Sequence, residues 1–354
     1  MKNPTRLKES RAVRLASAAL AATVAAGAAG IVAEPGNAAA ATAANTSQVR
    51  TSSAELSHGR LTITGTGARD RIALRLKADH PGVVQVDIGD NGSADFKFKR
   101  KLITAIAVHA RAGSDLVRID EGNGIFTDSI PTAISGGDGR DVLLGGSGAE
   151  TLRGGAGSDS IDGNVGNDLA LMGAGNDTFV WDPGDGSDTI RGGLGADTLR
   201  FNGAGVDEHV DLSATGNHLR FARDVGGVKM DTAGVERVDF NALGGADIVT
   251  VNDLTGTDVT DVNVDLASTL GGAAGDSQAD RVIVNATNGN DSITVNGDTG
   301  GVKTSGLAAT VEILHAEAAN DRLELNTLDG RDAVDSSGLA AGAIQLFVDG
   351  VLRP

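Results

Sequence analysis

The chain has 354 residues, enough for two ordinary domains or one long repeat array. Aromatic residues make up 3%, with one tryptophan, no tyrosine and no cysteine, while glycine occurs 51 times. This composition excludes disulfides, zinc–thiolate sites and a catalytic cysteine, and it favours thin aliphatic layers over a core of large rings. The formal charge is −17; the first 42 residues carry +3, so the remainder carries −20. Such a surface repels nucleic acid and anionic lipid and attracts cations.

Residues 1–14 are basic (Lys2, Arg6, Lys8, Arg11, Arg14), and Leu15 to Ala33 carry no charge. Small residues follow, with A-x-A sites around Ala38, Ala39 and Ala40. This order reads as a secretory signal over residues 1–42, cleaved near 38–44. It predicts a secreted, extracellular bacterial protein, with the cell surface as an alternative destination. No second long apolar run occurs, so no membrane span is expected in the mature chain.

Residues 43–135 predict an irregular β-solenoid segment. Asp70 and Asp115 each precede alternating aliphatics, Ile72-Ala73-Leu74 and Leu116-Val117-Arg118-Ile119, which reads as a turn followed by a strand. A hairpin of Val84–Ile88 with Phe96–Phe98 is expected to protrude.

A nine-residue register then runs from 136 to 200. GGDGRDVLL from Gly136 is followed by GGSGAETLR, GGAGSDSID, GNVGNDLAL and MGAGNDTFV. Trp181 and Asp182 interrupt it, and it resumes as PGDGSDTIR from Pro183 and GGLGADTLR from Gly192. These are seven phased copies of G-G-x-G-x-D-x-U-x, with U a large aliphatic in most copies. Position eight is Leu143, Leu152, Ile161, Ala170, Phe179, Ile190 and Leu199. The x-U-x triplet is a short strand with its central side chain inward. Glycines permit positive φ and close backbone approach. Turn carbonyls and carboxylates are hard oxygen donors of the kind Ca²⁺ takes. Stacked carboxylates without a cation would repel one another.

Residues 136–200 resemble the RTX (hemolysin-type calcium-binding) β-roll family. The resemblance implies an all-β fold, a parallel β-roll or β-helix solenoid with irregular β-rich flanking rungs, with Ca²⁺ bound between stacked turns. Carried onto this sequence, the pairs are Asp141 with Asp159, Asp159 with Asp177, and Asp177 with Asp197 on one side. On the other they are Glu150 with Asp168, and Asp168 with Asp188. The glycines of these turns are Gly137, Gly139, Gly146, Gly148, Gly155, Gly157, Gly173 and Gly175. Roughly three to five ions are expected, the Asp141–Asp159 and Asp159–Asp177 slots being the most regular. Glu150, one methylene longer than aspartate, and Asn164 and Met172 at glycine positions depart from the pattern. The Trp181-Asp182 insertion is expected to bulge a coil.

Residues 201–354 predict a duplicated β-solenoid segment. ADTLRFN from Ala196, Val235-Glu236 and GGADIVTVNDL align with ADRVIVN from Ala279, Val311-Glu312 and ANDRLELNTL. Leu61 to Asp120 looks like a third, diverged copy. Aspartates in these flanks read first as turn caps and second as ion ligands.

No catalytic apparatus is legible. The six histidines (His58, His80, His109, His209, His218, His315) fall outside any H-E-x-x-H, and no G-x-S-x-G elbow, P-loop or dinucleotide fingerprint occurs. The reading is therefore a non-enzymatic calcium-binding module for surface, matrix or adhesion roles, its expected partners being calcium and a cell-surface or matrix polysaccharide. The alternative is a calcium-stabilised polysaccharide lyase or glycosidase on a β-helix.

Overall fold

The computed structural model describes residues 51–353; the secretory signal expected at 1–42 and the cleavage expected near 38–44 lie outside them. The described residues form 29 strands in two sheets of 15 and 14 strands, with three short 3₁₀ turns and no α-helix among them. The fold is all-β, a parallel solenoid built on a central β-roll.

In the repeats the chain crosses from one sheet to the other with every nonapeptide. Val142–Leu144, Ser160–Asp162, Thr178–Trp181 and Thr198–Asn202 stack in parallel in the 14-stranded sheet. Thr132–Asp138, Thr151–Ala156, Leu169–Ala174 and Thr189–Leu194 do the same in the 15-stranded sheet. Ile161 lies in register with Leu143 and Phe179, so two nonapeptides make one coil. In the triplet strands the central residue is buried and its two neighbours are half-buried, and all seven position-eight side chains are fully buried between the sheets. Each contributes about 1.5–3 kcal/mol when it is a leucine, isoleucine or phenylalanine.

The Trp181-Asp182 insertion lengthens the coil but does not bulge it. It extends the strand Thr178–Trp181 by one residue, and Trp181 points inward. The indole stacks on Phe201 at 3.9 Å between ring centroids, and Phe201 touches Phe221 and Phe240 at 4.3 and 6.2 Å. From here on, most strands bury two side chains each, as in Leu199 with Phe201 and Val238 with Phe240. The few large rings are thus concentrated where the core widens. Asp182 starts a second device. Its Oδ1 accepts from Asn202 Nδ2 at 2.6 Å, and Asn202 Oδ1 accepts from Asn241 Nδ2 at 2.7 Å. An equivalent ladder climbs from Asp211 through Asn252, Asn285 and Asn326 in the other sheet. Stacked amides satisfy one another at the inter-strand spacing.

The flanks add antiparallel three-strand meanders to the parallel stacks. They are Arg71–Lys77, His80–Ile88 and Phe96–Lys99; His209–Thr215, His218–Arg223 and Val228–Ala233; and Ser292–Asp298, Gly301–Ser305 and Thr310–Leu314. The hairpin containing Val84 and Phe98 does not protrude. It completes one end of the 14-stranded sheet, with Lys97 and Lys99 on the edge strand. Lysines on an edge oppose pairing with other chains. The duplication also needs correction. Its two copies place their meanders in opposite sheets, and Val235-Glu236 and Val311-Glu312 are not equivalent. Val311 lies within the third meander strand, whereas Val235 follows the corresponding strand. The equivalent returning strands are Arg237–Asn241 and Arg322–Asn326. Two acidic-aliphatic motifs of similar wording concealed this shift.

Because Trp181 anchors the ring stack, Trp181→Ala is expected to lower the unfolding free energy by about 3–5 kcal/mol. Denaturant titration in Ca²⁺-containing buffer checks this, and a loss below about 1 kcal/mol would contradict the packing account.

Candidate metal centre

Position six of each nonapeptide precedes a strand, and where it is aspartate its carboxylate reaches the equivalent turn of the preceding coil. The backbone N–H of Asp141 donates to Asp159 Oδ1 at 2.8 Å, that of Asp159 to Asp177 at 2.7 Å, and that of Asp177 to Asp197 at 2.8 Å. On the other edge Glu150 N–H donates to Asp168 at 2.6 Å and Asp168 N–H to Asp188 at 2.8 Å. All five expected pairs are brought together. The two that span the Trp181-Asp182 insertion have the same geometry as the rest.

Only one oxygen of each aspartate is used in this way. Oδ2 of Asp141, Asp159, Asp168, Asp177, Asp188 and Asp197 is buried without a hydrogen-bond partner. Burial accordingly pushes these carboxyls up, opposed by the single amide donor and aided by neighbouring carboxylates. Asp159 is raised to about 7, Asp168 to about 9, Asp188 to about 7 and Asp197 to about 6. Asp141 and Asp177 are raised by the same desolvation. A buried, unpaired carboxylate is costly unless a cation or proton meets it. Among the described residues no three His, Cys, Asp or Glu side chains converge. A cation here must take backbone oxygens beside each carboxylate, the mixed hard-oxygen set that suits calcium.

The glycines serve the stacking itself. Gly155 and Gly157 have φ of +121° and +133°, and a Cβ on either would collide with the carbonyl oxygen of Gly137 or Gly139 one coil away. Gly137, Gly139, Gly173 and Gly175 hold the same left-handed backbone. Gly146 and Gly148 do not. No equivalent turn precedes theirs, and Thr127 packs there instead, its Oγ1 accepting from Ser147 N–H at 2.9 Å. Glu150 uses its extra methylene to accept from Gly146 N–H at 2.9 Å. Asn164 adopts φ +58° and donates to the Gly145 carbonyl, while Met172 fills the core.

The ladder continues into flanks where sequence reading placed turn caps. Asp70 N–H donates to Asp115 and Asp115 N–H to Asp141; Asp197 N–H donates to Glu236. On the second edge Glu208, Asp247, Asp280 and Asp321 are linked in the same way. Several of these carboxylates meet protein donors in place of a cation. Asp70 Oδ2 accepts from the N–H and hydroxyl of Thr66 at 2.6 and 2.9 Å. Asp291 accepts from Thr287, and Asp321 Oδ2 from Glu317 N–H at 2.6 Å. Glu208 is ion-paired with Arg223, which also lies 5.3 Å from the Trp181 ring. The overlooked signal is a small residue five positions before each of these acids except Glu236, as in Gly65…Asp70 and Gly203…Glu208.

Residues 133–149, 144–179 and 184–203 match the family model described as RTX calcium-binding nonapeptide repeat, 4 copies. These matches coincide with the regular double column of half-satisfied aspartates. The segment 133–203 carries calcium-binding repeats folded as a β-roll. No curated protein matches the chain.

The raised carboxyls set a pH dependence for the metal-free protein. Their folded values of about 6 to 9 lie above an unfolded value of about 3.9. The folded state therefore holds more protons across that window. The stability these groups contribute is full below pH ~4 and is lost as pH rises through the folded values. In excess chelator the melting temperature is expected to fall between pH 5 and pH 8, and added Ca²⁺ is expected to restore it at pH 8. A chelated protein more stable at pH 8 than at pH 5 would contradict this.

Proposed function

We propose that this protein is a secreted, non-enzymatic calcium-binding module of the cell surface or extracellular matrix. In this reading Asp141, Asp159, Asp168, Asp177, Asp188 and Asp197 hold Ca²⁺ through their second carboxylate oxygens, and turn carbonyls complete the ligand sets. Roughly three to five ions bind, fewer than the carboxylates because stacked turns share them. The observation that carries the reading is the coincidence of the repeats with buried, unpartnered Oδ2 atoms on both edges.

Bound calcium supplies the positive charge that the inner oxygens otherwise lack. The chain's residues do the rest. The first carboxylate oxygen holds the preceding coil's amide, the glycines let coils approach, and the position-eight side chains seal the interior. The net charge of −17 draws cations toward the module. The basic, alanine-rich leader supports export. Low calcium inside the cell then leaves the central coils loose, and extracellular calcium orders them by linkage.

The test is far-UV circular dichroism and calorimetry of the purified protein during Ca²⁺ titration, with Mg²⁺ as control. A gain of β signal with a midpoint near 0.1–1 mM Ca²⁺, the range of extracellular modules, is expected, with no comparable response to Mg²⁺. A spectrum already β-rich in chelator, with no heat on adding Ca²⁺, would overturn the reading.

A further inference from the structure

The column of equivalent turns on the first edge begins one coil before the matched repeats. Residues 110–115 read Ala-Arg-Ala-Gly-Ser-Asp and lack the paired glycines. Their backbone nevertheless follows the repeat turns. Arg111 and Gly113 have φ of +88° and +135°, beside +119° and +127° at Gly137 and Gly139. Arginine rarely adopts that region and does so here only under surrounding constraint. Gly113 N–H donates to the Asp138 carbonyl at 2.8 Å, as Gly139 N–H donates to Ala156 and Gly157 N–H to Ala174. The carbonyls of Arg111 and Gly113 press on Gly137 and Gly139 as those of Gly137 and Gly139 press on Gly155 and Gly157.

Asp115 sits at position six of this turn, 2% exposed. Its Oδ1 accepts from Asp70 N–H at 2.7 Å, and its Oδ2 is buried without a partner. Asp70, one coil earlier, differs because Thr66 satisfies its Oδ2. The series of carboxylates lacking a protein donor on this edge therefore starts at Asp115.

We propose that Asp115 anchors a calcium site that precedes the recognisable repeats, with turn carbonyls as its other ligands. The proposal rests on the reading that the repeats hold calcium. It adds one ion to those carried by the matched segment. Burial also raises the Asp115 carboxyl to about 6, in line with its neighbours in the column.

The test counts bound ions on the full chain by equilibrium dialysis with radioactive calcium. Asp115→Asn keeps an oxygen for the Asp70 amide and removes the charge. It is expected to bind one Ca²⁺ fewer than the wild type at saturation, with an unchanged circular dichroism spectrum in calcium. An unchanged ion count overturns this inference and leaves the repeat sites standing. A wild-type protein that binds no calcium overturns the underlying reading instead. Should Asp115→Asn fail to fold, wild-type crystals grown in calcium decide by anomalous scattering. A peak about 2.3–2.6 Å from the Asp115 carboxylate is expected. Peaks beside Asp159 and Asp177 with none at Asp115 overturn the proposal.

Discussion

The structure depends on a carboxylate that is half satisfied. Each position-six aspartate spends one oxygen on the amide of the previous coil, which ties successive turns together at 2.6–2.8 Å. The same geometry buries the other oxygen with no donor in reach. An array of such groups repels itself, so the contact that builds the stack also requires positive charge. Calcium chemistry in this chain follows from how it solves strand stacking.

The flanks face the same problem, and at several carboxylates, though not at Asp115 or Asp247, protein groups answer it. Thr66 and Thr287 donate to Asp70 and Asp291, and the Arg223 guanidinium meets Glu208. Asparagine ladders from Asp182 and Asp211 hold the longer C-terminal strands. The aromatic cluster of Trp181, Phe201, Phe221 and Phe240 fills the wider core there. A thin, one-residue-deep core in the middle relies on its turns, whereas the two-residue-deep core beyond Trp181 relies more on packing.

Much of this was legible in the sequence. The nonapeptide phase placed the triplet strands, the buried position-eight side chains and the paired acids at 18-residue separation, or 20 across the insertion. That phase is explicit because stacking demands glycine where another coil's carbonyl leaves no room for a Cβ, as at Gly155 and Gly157. What sequence reading missed lies where side chains substitute for glycine. Arg111 adopts a left-handed backbone that no local propensity announces. Thr127 replaces a missing turn above Gly146, and the alternation of meanders between sheets is a tertiary choice that leaves no mark on strand pattern. The Trp181-Asp182 pair read as a disturbance because an insertion is visible in sequence, while the space opened for it by Phe201 and Phe221 is not.

The most direct test of the central claim is amide hydrogen exchange at neutral pH, measured segment by segment in calcium and in chelator. Protection of the ladder amides at Asp141, Asp159 and Asp177 is expected to drop sharply when calcium is removed. The asparagine-laddered strands Arg281–Asn285 and Arg322–Asn326 should change far less. Equal protection in both conditions throughout residues 136–200 would show that the half-satisfied carboxylates need no cation, and would contradict the account.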